Sequence, residues 1–186
     1  IGGLEGNLSI LEKIVTSMQS CDVEIVYCIG NVTGRTGSNG DVIRWLRRNK
    51  QALCIQGSMD WSYASFKEKD LSPLAPKDRD WITMLPQVLT FGLGDRKGVA
   101  FYGDYLQDLP GFSDFSPYAL EINMVCGLTD FMRDETVFPA LEAMVPQFQA
   151  DLVLFGQRED WGHWCVGGKE FVSVGRSEAD GKAKWG

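Results

Sequence analysis

LVLFGQREDWGHW, residues 152–164, changes character at a single residue. Four apolar side chains end at Gly156, and Gln157, Arg158, Glu159 and Asp160 follow at once. An unbroken apolar run suits a strand covered on both faces, and a glycine at its end lets the chain turn sharply. A buried strand thus opens onto polar side chains. The same event recurs along the chain. Residues 24–29 (EIVYCI) run into Gly30-Asn31, 52–56 (ALCIQ) into Gly57-Ser58-Met59-Asp60, 98–102 (GVAFY) into Gly103-Asp104, and 170–174 (EFVSV) into Gly175-Arg176-Ser177. The first residues, IGGLEGN (1–7), read as a strand end that meets a helix cap.

Helical periodicity fills the intervals. In residues 8–20 (LSILEKIVTSMQS), Leu8, Leu11, Ile14, Val15 and Met18 fall on one stripe, and Asn7 just before them is a good N-cap. Residues 41–48 (DVIRWLRR), 78–86 (DRDWITMLP, stopped by Pro86) and 136–144 read as further helices. Residues 88–93 (VLTFGL) add a strand, and Gly167-Gly168 makes a tight hairpin of WCVGGKEFVSV. The predicted fold class is therefore α/β: mostly parallel β-sheets covered by helices, with a C-terminal antiparallel hairpin. Segments 61–77 and 103–135 read as long irregular loops. Their aromatics, Trp61, Tyr63 and Phe66, then Tyr105, Phe112, Phe115 and Tyr118, either pack locally or wall a ligand or partner surface. In open α/β sheets ligands gather at the carboxyl ends of parallel strands, so the six corners are expected to converge on one rim.

With 186 residues and 44% hydrophobic content, the chain suits a single domain, residues 1–186. Its 25 acidic against 18 basic residues, net charge −7, argue against a nucleic-acid groove or an anionic membrane as the main partner. The one basic cluster, RWLRRNK (44–50), reads as a solvated helix face. No apolar run approaches the ~20 residues of a membrane span. The cysteines, Cys21, Cys28, Cys54, Cys126 and Cys165, are odd in number and lack a C-x-x-C pair, which points to reduced thiols, no structural zinc and a cytoplasmic setting. Residues 30–40 (GNVTGRTGSNG) lack the Lys-Ser/Thr of a P-loop and the spacing of a dinucleotide turn.

In order and spacing the corners resemble the calcineurin-like metallophosphoesterases, in particular their small single-domain phosphodiesterase branch. The family pattern runs D-x-H-G-N, G-D-x-x-G, G-N-H-D, H-G, G-H-x-H and N-x-G-S, and the resemblance covers essentially the whole chain. It implies a layered sandwich and a metallophosphoesterase-like hydrolase fold. It also implies a strand ahead of the first corner, where this sequence shows only Ile1 and Gly2, so the N-terminal strand is expected to be incomplete. Members of the family hold two metal ions about 3.5–4 Å apart that polarise a phosphate and activate water.

The resemblance carries over residue by residue, and most ligands fail. Gly3 stands where the first motif has Asp and Glu5 where it has His, while Gly6 and Asn7 match. The bridging aspartate is Asn31, an amide that cannot balance two dications. Ser58 and Met59 replace the Asn and His of the third motif, leaving Gly57 and Asp60 as matches. Tyr102 replaces the next His, and Gln157 and Glu159 the two of the fifth corner; Ser173, Val174, Gly175 and Arg176 stand at the last. The single histidine, His163, lies off these positions. The ancestral-site positions are thus Gly3, Glu5, Asn7, Asn31, Ser58, Met59, Asp60, Tyr102, Gln157 and Glu159, and no residue is assigned a catalytic role.

Mapped onto the family, Glu5, Asn31 and Glu159 surround the first metal position, suiting at most one weakly bound Mg²⁺, Mn²⁺ or Ca²⁺. Asn31, Ser58, Tyr102 and Gln157 surround the second with no anion, so no cofactor is expected there. Without that ion and without a general acid at Met59, dinuclear hydrolysis loses its phosphate clamp and its proton source. The favoured function is a pseudoenzyme acting as a binding or scaffold module; the alternatives are a phosphoesterase with an altered single-metal site, then a metal-free nucleotide or anion sensor using Arg158 or Arg176. The implied partner is a protein or a phosphate-containing small ligand.

Overall fold

The structure, a computed structural model, describes residues 1–35, 37–65, 74–103, 117–128, 137–157, 160–179 and 182–186. Glu159 and Arg158, together with Phe66, Tyr105, Phe112 and Phe115, lie outside the described residues. Helix α1 (Leu8–Met18) starts where Asn7 Oδ1 accepts the Ile10 N–H at 3.1 Å, the cap expected from sequence. Its fully covered residues are Ile10, Leu11 and Ile14; Leu8, Val15 and Met18 flank them half-buried, so the inward face is rotated from the predicted stripe. Burying a side chain such as Ile14 stabilises by about 1.5–3 kcal/mol.

Strands β1 (Val26–Ile29) and β2 (Ala52–Ile55) pair in parallel, with Cys28 opposite Cys54. Helix α2 (Asn39–Arg48) connects them, its Val42, Ile43 and Leu46 turned inward. Its Arg44 and Arg47 pair with the buried Asp78. Successive β1 side chains serve different layers. Val26 and Cys28 join the core made with α1 and α2, whereas Ile29 joins the core under the second sheet.

The second sheet has the order β3-β4-β5-β7-β6, comprising β3 (Val88–Leu93), β4 (Arg96–Phe101), β5 (Leu152–Phe155), β6 (Gly162–Val166) and β7 (Lys169–Ser173). β4, β5 and β7 run parallel, and β6 joins β7 through the predicted hairpin, with Gly167 and Gly168 at φ +55° and +78°. The α/β class, the parallel strands and the C-terminal hairpin are as read from sequence. A second antiparallel hairpin, β3 with β4 around Gly94 (φ +59°), was not foreseen, because residues 88–102 read as two separate strands. A short ribbon, β8 (Glu178–Ala179) with β9 (Lys182–Ala183), also lacked a sequence signal.

The two long loops are corrected in part. Residues expected to be irregular form helix α3 (Ser58–Ser65), the start of α4 (Pro76–Thr83) and helix α5 (Ala119–Leu128). Helix α6 (Val137–Met144) lies where the last helix was expected. The described aromatics of these segments pack into the cores: Tyr63 is fully buried and donates its hydroxyl to Gly34 O, Tyr118 joins the larger core, and Trp61 packs half-buried against that core. No helix among the described residues is long and apolar enough to cross a membrane.

Candidate functional site

The strand ends are brought together by backbone pairing. Glu5 N–H donates to Asn31 O and Gly6 N–H to Val32 O, both at 2.9 Å, which ties the first corner to the second. Val174 N–H reaches Phe155 O at 2.8 Å, and Ser177 N–H reaches Gly2 O at 2.7 Å, tying the last corner to the fifth and the first. Between them lies a polar pocket of about 200 Å³ lined by Gly3, Glu5, Asn31, Tyr102, Gln157, Val174, Gly175 and Arg176. Residues scattered over most of the sequence meet there.

The backbone at this rim is strained. Glu5, Asn31 and Gln157 have φ of +49°, +49° and +89°, and Gly3 has +52°. Left-handed backbone costs a residue with a side chain about 1–2 kcal/mol, and such residues cluster where a site over-determines them. Close approach demands glycine at Gly57, where a Cβ would lie 2.2 Å from Asn31 N.

Asn31 occupies the centre and spends its amide on the protein. Its Nδ2 donates to the Tyr102 hydroxyl at 2.8 Å, and its Oδ1 accepts the Met59 N–H at 3.0 Å, with Ser58 Oγ 3.5 Å away. Met59 thus contributes a backbone donor to the second and third corners, and its half-buried side chain packs on the α1/α2 core. Glu5 Oε1 lies 3.3 Å from the Arg176 Nε, an ion pair across the pocket wall. Gln157 Oε1 is buried and has no hydrogen-bond partner among the described residues.

Two of the motif matches have structural duties. Asn7 caps α1 and donates to Glu178 Oε2 at 2.7 Å, away from the pocket wall. Asp60, fully buried, accepts from Thr33 N–H (2.9 Å) and Thr33 Oγ1 (2.8 Å) with one oxygen, and from Gly57 N–H (2.9 Å) and Val32 N–H (3.2 Å) with the other. Burial pushes the Asp60 carboxyl above its ordinary range, and the bonds from Thr33, Gly57 and Val32 act against that rise. Asp60 holds the second corner to the third and does not face the pocket.

The chemistry available here is limited. Burial drives the Cys126 thiol up to about 12, so it is no nucleophile. His163 sits on β6, with Nε2 3.2 Å from Glu170 Oε2, and does not line the rim pocket. All five cysteines are free. Among the described residues no cluster of three His, Cys, Asp or Glu could hold a metal ion. Two dications do not fit the described wall, which offers one carboxylate, already paired with a guanidinium, and two amides, one of them spent. Sequence reasoning treated Arg176 as a source of positive potential and missed its pairing with Glu5, a contact between chain ends with no local signal.

The chain matches a hypothetical protein of Pyrococcus horikoshii OT3 over 95% of its length and 75% of that chain, with TM-score 0.63 and 14% identity. It matches a metallophosphoesterase of Sphaerobacter thermophilus over 95% and 74%, with TM-score 0.58 and 14% identity. The fold is that of the metallophosphoesterases. Vacuolar protein sorting 29 of Cryptosporidium parvum has this fold too, at TM-score 0.52 and 15% identity over 95% of this chain and 72% of that one. No protein-family model matches the sequence, and no curated protein matches it significantly. In this metallophosphoesterase fold the pocket lies at the carboxyl ends of β1, β4, β5 and β7, the rim where the corners were expected to meet.

Proposed function

We propose that this protein is a binding or scaffold module on a metallophosphoesterase fold, without dinuclear-metal catalysis. The observation that carries this reading is the state of Asn31. Where two cations need a shared anion, an uncharged amide uses its oxygen on Met59 N–H and its nitrogen on Tyr102. A bridging oxygen supplies charge compensation, and a neutral, already bonded one supplies little. Met59 likewise brings no titratable group to protonate a leaving oxygen. The fold is compatible with a non-enzymatic role, since it also occurs in a protein named for vacuolar sorting. The partner we infer is a protein or a phosphate-bearing small ligand, and at most one hard cation is held weakly.

The test combines elemental analysis of the purified protein with hydrolysis of bis(p-nitrophenyl) phosphate in millimolar Mn²⁺. The expected result is less than one metal per chain and turnover indistinguishable from buffer. Two metals per chain with Mn²⁺-dependent turnover would overturn the reading in favour of a working phosphodiesterase.

A further inference from the structure

We propose that Arg176 is the resident cation of the rim pocket: paired with Glu5 and seated in the space that a side chain at position 3 would need, it keeps metal ions out. The proposal deepens the reading of a catalytically silent site and rests on it. Its first support is electrostatic. The Arg176 Nε lies 3.3 Å from Glu5 Oε1, and Glu5 is the one carboxylate among the residues described on the pocket wall. A dication seeking that carboxylate meets a guanidinium of like sign already beside it.

The second support is steric and independent. A Cβ at Gly3 would lie 3.1 Å from both Cα and Cγ of Arg176 and 3.5 Å from its Cβ. Gly3 stands where the resembled motif has Asp, and a side chain started there would crowd both the backbone and the Cγ of Arg176. Among the residues described on the pocket wall, Glu5 and Arg176 are the two charged groups, and their charges are opposite. The arginine is also held in place: the Trp161 indole N–H donates to Arg176 O at 2.9 Å, and Ser177 Oγ donates to Gly2 O at 2.6 Å, fixing the last corner against the first.

The test titrates Mn²⁺ into folded wild type, Arg176→Ala, Arg176→Ala/Glu5→Gln and Gly3→Asp/Arg176→Ala, counting free ion by its EPR signal and following Tm. Circular dichroism checks that each variant is folded. Wild type is expected to show no saturable binding at 10 mM. Arg176→Ala should bind one Mn²⁺ with Kd of order 1 mM, typical of a weak oxygen site, and gain about 3–5 °C in Tm at ten times that Kd. Gly3→Asp/Arg176→Ala should bind at least about tenfold tighter, because ligand charge sets affinity, and Glu5→Gln should abolish the gain. If the folded arginine-free variants bind no better than wild type, Arg176 is not the excluding cation, while the silent-module reading stands. Two ions bound to wild type would sink that reading instead, and the present proposal with it.

Discussion

Asp60 gives the sharpest quantitative test of how the rim is held together, because its four donors can be counted. In Asp60→Ala the N–H groups of Val32, Thr33 and Gly57 and the Thr33 hydroxyl lose their acceptor in a fully buried place. Each orphaned donor costs about 1–3 kcal/mol. Removing a carboxylate that burial already disfavours offsets part of the sum, as does rotation of the hydroxyl, leaving a loss of about 4–6 kcal/mol. That is comparable with the ~5–15 kcal/mol by which domains are stable. Asp60→Asn is milder, and the geometry says by how much. If the amide turns its NH₂ to Thr33, the hydroxyl can reverse and accept, the oxygen keeps Val32 and Gly57, and only the Thr33 N–H is orphaned. The loss is then about 2 kcal/mol. Urea unfolding followed by circular dichroism reads both: with a slope of about 2 kcal/mol/M, the midpoint falls by about 1 M in Asp60→Asn and about 2–3 M in Asp60→Ala. Equal midpoints for the two variants, or an Asp60→Ala midpoint within 0.3 M of wild type on the order of measurement error, would refute the donor count.

Two further outcomes follow from the same structure. Gly57→Ala would place a methyl 2.2 Å from Asn31 N and 2.5 Å from its Oδ1, so the second and third corners must part. Overpacking of this kind costs about 1–3 kcal/mol, and the Asn31–Tyr102 bond should break, which lowers the urea midpoint; an unchanged midpoint contradicts the close approach. On the sheet, bonds from Lys97 N–H and Lys169 hold Asp151 below its ordinary 3.8, and the Arg96 guanidinium holds Glu170 below 4.5. A depressed carboxylate favours the folded state above its unfolded pKa, and that stability is lost as pH falls through the folded value. The urea midpoint of wild type should therefore drop below about pH 4.5 more steeply than that of Asp151→Asn/Glu170→Gln, and parallel curves would show that these pairings do not drive acid unfolding.

Much of the fold was legible in local pattern. The apolar runs at 26–29, 52–55 and 152–155 are strands, Asn7 caps its helix, and the Gly167-Gly168 hairpin forms, because each depends on residues close in sequence. The misses have a common cause. Helix α5, read as loop, has apolar residues on all sides and so carries no amphipathic period to read. The pairing of β3 with β4 depends on register across a turn, which two separate apolar runs do not announce.

For the site, sequence alone determined which atoms are available: glycines that permit the corners, an amide at Asn31, a thioether at Met59 and a phenol at Tyr102. That inventory is a matter of side-chain chemistry and does not depend on folding. Only the tertiary structure decided how those atoms are spent. Asn31 meets Tyr102 across 71 positions, and Glu5 meets Arg176 from opposite ends of the chain. Such pairings exist only once backbone bonds between corners bring the strand ends within a few ångströms, because coordination and ion pairing are short-ranged and the chain between them is long.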